Sequence, residues 1–188
     1  MASVGAEEIA IMSTALKWIK SGGGPLLCIE SELLQQWLGV EGNSVANGQD
    51  NTFANDYERA CSVSDYLGKT PLGDRQAMVL GDEPLETMIW RQTEQPPLIV
   101  RVYYADPDVD VIERLGTVQD LDFSDPAESM EVEFNSKDMI VFDSAYPGKD
   151  IDNMFLTFEL PPGTYTVITK PFQPDDRTSV LIHIFQQK

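Results

Sequence analysis

Histidine is almost missing from this chain, with His183 alone among 188 residues, and cysteine stops at Cys28 and Cys61. These shortages exclude a zinc cluster, which needs several Cys or His ligands at close spacing, and a disulfide framework, which needs more thiols. Long apolar runs are absent too: none approaches the ~18 residues that span a bilayer as a helix. Base is the third deficit. Thirteen Lys and Arg face 31 Asp and Glu, giving a net charge of -18 and a pI near 4.2. Such a chain repels nucleic acid and anionic lipid and attracts basic partners from a distance, so direct nucleic-acid or membrane binding is not expected. The same acidity also serves plain solubility. At the N-terminus, Glu7 and Glu8 stand where a secretory leader carries positive charge, which predicts a cytoplasmic protein. A reducing cytosol suits Cys28, whose apolar neighbours predict a buried free thiol.

What the chain does have is enough apolar residue, 42%, to build a core. One domain is expected over 14–188, with 1–13 as a loosely held extension and the Asn/Gly-rich stretch 42–55 as a mobile loop. Acid is concentrated within 105–152, where 14 carboxylates meet only Arg114, Lys137 and Lys149. That stretch alone carries a net charge of -11.

The apolar pattern predicts an α+β protein, mainly an antiparallel β-sheet or sandwich with a few short helices. Leu16 to Ile19 and Pro25 to Ile29 read as a strand pair around the Ser21–Gly24 turn. Ser31 is expected to cap a short helix whose Leu33, Leu34, Trp37 and Leu38 share a face, ended by Gly39. Asp56 is expected to cap a second helix, to about Cys61. Asp106 with Pro107 reads as the start of a third, with Val109, Ile112 and Leu115 inward. Ala77 to Leu80 is a strand, and Thr87 to Arg91 and Leu98 to Tyr104 form an antiparallel pair. Five further strands follow, at 130–134, 139–142, 155–160, 165–169 and 179–185, with a tight Pro-Pro-Gly connection at 161–163. Trp18, Trp37 and Trp90 are expected in the core. Tyr103, Tyr104 and Tyr146 are the better candidates for a wet interface.

Catalytic chemistry finds little support. Ser21-Gly22-Gly23-Gly24 lacks the following Lys of a phosphate loop, and Pro25 removes an N–H where one is needed. Asp106, Asp108 and Asp110 begin like a calcium loop, but Val111 and Thr117 occupy its glycine and glutamate positions. His183 alternates with Leu181 and Phe185 and reads as a hydrogen-bonded residue at a sheet margin. Asp82-Glu83 with Glu86 or Asp65 leaves one alternative open, a carboxylate-based, metal-dependent hydrolase. A small-ligand binding β-barrel is another.

Three blocks stand out: LKWIKSGGGPL (16–26), DYERACSVSDYLGKTPLGDRQAMVLGDEP (56–84) and IVFDSAYPG (140–148). In this order they resemble the immunity protein 21 family of bacterial polymorphic toxin systems, over roughly Leu16 to the C-terminus. The resemblance implies a non-enzymatic protein, without cofactor or metal, that binds and neutralises a cognate toxin encoded by a neighbouring gene. Charge then supplies a mechanism: an acidic surface occludes the active site of a basic, nuclease-type toxin. The residues expected to carry this contact are Asp82, Glu83, Asp106, Asp108, Asp110, Glu113, Asp120, Asp122, Asp125 and Tyr104.

Overall fold

The computed structural model describes residues 16–45, 52–81, 84–91, 96–116 and 124–188. The expected extension 1–13 and residues 46–51 of the polar loop lie outside them. Among the described residues, ten strands make two antiparallel sheets. One is built from β1 (Leu26–Glu30), β2 (Leu67–Leu72), β3 (Arg75–Leu80), β7 (Asp138–Asp143) and β8 (Phe155–Glu159), in the order β2-β3-β1-β7-β8. The other holds β4 (Glu86–Trp90), β5 (Leu98–Ala105), β6 (Glu128–Phe134), β9 (Gly163–Asp175) and β10 (Thr178–Gln187), in the order β4-β5-β10-β9-β6. The helices are short: α1 (Asp56–Cys61), α2 (Val111–Gly116) and three 3₁₀ turns. This is the α+β, mainly antiparallel class that the apolar pattern predicts.

Alternation along the strands explains the layering. Side chains of one parity fill the space between the sheets, where Cys28, Met78, Val141 and Phe158 meet Ile99, Phe134, Tyr165 and Phe185. Those side chains form one buried cluster between two five-stranded sheets. The opposite parity of the first sheet packs Leu27, Ile29, Val79 and Phe142 under Leu33, Trp37 and Ala60. The outer face of the second packs Met88, Val100, Val180 and Ile182 under Leu115 of α2. Every residue of β1 is buried, as expected for a central strand covered on both faces. Cys28 lies there, and burial pushes its thiol well above the usual range.

Several local expectations change. β1 spends both edges on β3 and β7, so no edge remains for Leu16–Ile19. The Ser21–Gly24 turn instead hands the chain to the other sheet, where Ile19 and Thr87 exchange N–H···O bonds of 2.9 and 2.8 Å. Ser31 caps nothing. Residues Ser31–Gln36 form a 3₁₀ turn after Glu30, and it ends before Gly39. Asp56 is likewise inside its helix, because Asn55 accepts from the Glu58 N–H at 2.8 Å and is the cap. The helix expected at Asp106 starts only at Val111, and Asp110 receives the N–H groups of Ile112 and Glu113 at 2.9 and 3.1 Å. The ends of the polar loop are fastened: Asn43 donates to the Phe53 carbonyl, and Asp56 accepts from the Ser44 N–H.

The strand pairing fares better. β4 and β5 pair as expected, from Glu86 opposite Val102 to Trp90 opposite Leu98. Pro161 to Gly163 does make a tight connection between strands, but one that crosses from β8 in one sheet to β9 in the other. β2 had no sequence signal, since Lys69, Thr70 and Pro71 interrupt its pattern. Pro71 is tolerated because β2 is an edge strand.

Candidate functional site

The three sequence blocks meet at one corner of the first sheet. Asp143 accepts from the Gly22 N–H at 2.8 Å, and the Ser144 hydroxyl and N–H both donate to the Pro25 carbonyl. Trp37, fully buried, donates its indole N–H to the Ser144 carbonyl at 2.9 Å. Tyr57 closes the corner against Gly24, where a Cβ would stand 2.5 Å from the ring, so only glycine fits. Gly39, at φ +55°, passes as tightly beneath Ala145–Pro147. All of these contacts hold segments together. Beside them, Val40 and Tyr146 are more than half exposed, an apolar pair on a firmly held surface.

Buried charge does structural work nearby. Arg59 is almost wholly buried and donates to Asp56 (2.7 Å), Thr70 (2.8 Å), Asn43 (2.8 Å) and the Pro71 carbonyl (3.2 Å). The other Asp56 oxygen receives the Leu38 N–H at 2.9 Å. Glu30, on β1, takes Arg75 at 3.1 Å together with the N–H groups of Asn135 and Ser136, which ties the β6–β7 turn to β1.

His183 does not sit at a sheet margin. β10 is the central strand of its sheet, and His183 is fully buried opposite Ile99 and Thr169, with its Nδ1 3.0 Å from the Thr169 hydroxyl. Burial, reinforced by the Arg101 guanidinium, pulls its pKa well below 6.5. Folding therefore selects the neutral imidazole, and its stabilising share is complete above pH 6.5 and lost as pH falls. In urea unfolding from pH 8 to pH 5, wild type should take up one proton more than His183→Gln on unfolding. That steepens its loss of stability by about 1.4 kcal/mol per pH unit below pH ~6.5. Parallel curves for the two proteins would place a charged imidazole in the fold.

The residues proposed from charge fall into three sets. Asp82, Glu83, Asp120 and Asp122 lie outside the described residues. Asp125 is exposed, at φ 58°, with its carbonyl receiving Lys170 beside the β6–β9 side of the second sheet. The third set does come together. Tyr104, Asp106, Asp108, Asp110 and Glu113 are all exposed, running from the end of β5 through the turn and into α2. Arg177, from the β9–β10 turn, joins Asp106 at 2.7 Å and also pairs with Asp108. That contact holds the Asp108 carboxyl below its ordinary range and raises the arginine. Arg114 reaches Asp175 at 3.3 Å.

Beside this turn runs a groove that sequence reasoning did not find. Leu16, Trp18, Val102 and Ile112 are its apolar lining, and Glu86, Asp106, Asp108 and Asp110 its carboxylates. Its signal was out of reach, because Glu86 joins the site only through its register opposite Val102. Among the described residues no group of three His, Cys, Asp or Glu side chains converges as a metal site. None of the described helices is long and apolar enough to cross a membrane.

The described surface thus places exposed carboxylates beside apolar side chains in one groove. The family model of immunity protein 21 matches residues 17–178, most of the chain, and the chain belongs to that family. The family implies an immunity protein of a toxin system, which binds a cognate toxin. No curated protein and no solved structure matches it.

Proposed function

We propose that this protein neutralises a basic, nuclease-type toxin of the producing bacterium, encoded by a neighbouring gene, by covering its active site without turning over any substrate. Residues 14–188 act as one immunity domain in the cytoplasm, where the toxin would otherwise meet nucleic acid. The observation that carries this reading is the acidic face formed by Tyr104, Asp106, Asp108, Asp110 and Glu113 on a member of an immunity family. A groove built to hold phosphates is positive, and such a face complements it. Tyrosine at a wet rim adds contact area at little entropic cost. Asp82, Glu83, Asp120, Asp122 and Asp125 add to the attractive field in this reading.

Steering of this kind appears in the association rate and fades as salt shortens the Debye length to ~8 Å near physiological strength. The test is stopped-flow binding to the purified, catalytically inactivated toxin across a salt series. Changing Glu113 to Gln together with Asp108 to Asn slows association several-fold at low salt and flattens its salt dependence, while far-ultraviolet dichroism stays unchanged. Wild-type rates and slope in this variant would move the docking surface elsewhere, with Val40 and Tyr146 next to be tested.

A further inference from the structure

The groove beside the acidic turn has a chemistry more specific than net charge. Leu16 is 48% exposed and Trp18 half-buried, so an apolar and aromatic wall is left open. Lys17, between them, turns away and lies 4.4 Å over the Phe155 ring, so it brings no cation into the groove. Carboxylates line the same groove. Glu86 and Asp110 have no ion pair among the described residues, and both are exposed. The same turn already binds a guanidinium, for Asp106 and Asp108 share Arg177.

We infer that this groove receives one arginine side chain of the toxin, its methylenes and guanidinium plane against Trp18 and Val102 and its N–H groups on Glu86 and Asp110. A guanidinium fits better than an ammonium. It is planar, donates in a fork, stacks on indole and loses less hydration in a half-covered site. The assignment rests on the toxin-binding function proposed above and gives it a chemical address.

The probe is Nα-acetyl-L-arginine methylamide, titrated at low ionic strength into the full-length, ¹⁵N-labelled protein. The Trp18 indole N–H, assigned with Trp18→Phe, reports the contact. A saturable shift is expected, with a dissociation constant on the order of 1 mM. The citrulline analogue, which has the same shape and no charge, should leave that resonance in place. Glu86→Gln with Asp110→Asn should weaken binding by about 10-fold, and Asn keeps the helix capped. Equal response to citrulline, a non-saturating shift, or indifference to the double variant would overturn the assignment. So would binding that appears only after residues 2–13 are deleted, which would give the groove to the chain's own N-terminal segment. Growth protection against the toxin is read separately. A chain that protects cells but ignores the probe loses the groove and keeps the function, whereas one that binds the probe and fails to protect loses the function.

Discussion

Replacing Trp37 with alanine lowers stability by roughly 3–5 kcal/mol, the range for deleting a large aromatic side chain from a core. Trp37 has no exposed surface and packs in the layer of Leu33, Ala60 and Phe142 over the first sheet. Its loss also leaves the Ser144 carbonyl without the indole N–H at 2.9 Å. That bond links the first sequence block's neighbourhood to the third, so the corner around Pro25, Asp143 and Ser144 loosens with the cavity. For a chain of this size the melting temperature falls by about 10–15 °C. Trp37→Phe should recover part of the packing and none of the hydrogen bond. Urea unfolding separates the two contributions, and a melting curve for Trp37→Ala that overlays wild type would contradict the packing described.

Arg59→Met is expected to cost about 3–5 kcal/mol, because it leaves the buried Asp56 side chain without its partner. Asp56 has no exposed surface and accepts from Arg59, Leu38 and Ser44, so the substitution disconnects α1, the 38–44 segment and the β2 edge in one step. Changing Asp56 to Asn in the Arg59→Met background removes the unpartnered carboxyl group, and the double variant should be more stable than the sum of the two single changes predicts. A double-mutant cycle by chemical denaturation gives the coupling. Simple additivity would mean that water already reaches this pair.

Strand alternation was legible because it depends only on which face is apolar. Leu98 to Tyr104 reads directly as two faces, and its pairing with Glu86–Trp90 follows from a short connection between them. Caps were less legible, since several Asp and Asn residues crowd each helix start. Asn55 and Asp110 win over Asp56 and Asp106 because the latter two are claimed by arginines, Arg59 one helical turn on and Arg177 71 residues away in the chain. The segment Leu16–Ile19 was misplaced for a similar reason. Its partner Thr87 lies nearly seventy residues on, and local pattern favoured the nearer strand. His183 was assigned to a margin although β10 is central, because sheet order is not written in any single strand.

The candidate site divides along the same line. Exposure of Asp106, Asp108, Asp110 and Glu113 could be read from charge density at a turn, and the structure shows them exposed. Their neighbours could not. Arg177 arrives from the β9–β10 turn and Glu86 from β4, and each changes what the turn can offer a partner. The block residues Gly22, Gly24, Tyr57, Asp143 and Ser144 carry the family resemblance and hold the corner together. Contact with a particular toxin is then left to surfaces outside that corner, where attraction and repulsion can both be tuned.

Growth of cells carrying the inducible toxin gene from the same locus, with and without this protein, tests the central claim most directly. The account predicts that the wild-type protein restores growth and that a stable complex of the two chains is recovered, while Glu86→Gln with Asp110→Asn protects less at equal soluble expression. Continued killing in the presence of soluble wild-type protein, with the toxin's identity confirmed, would contradict it.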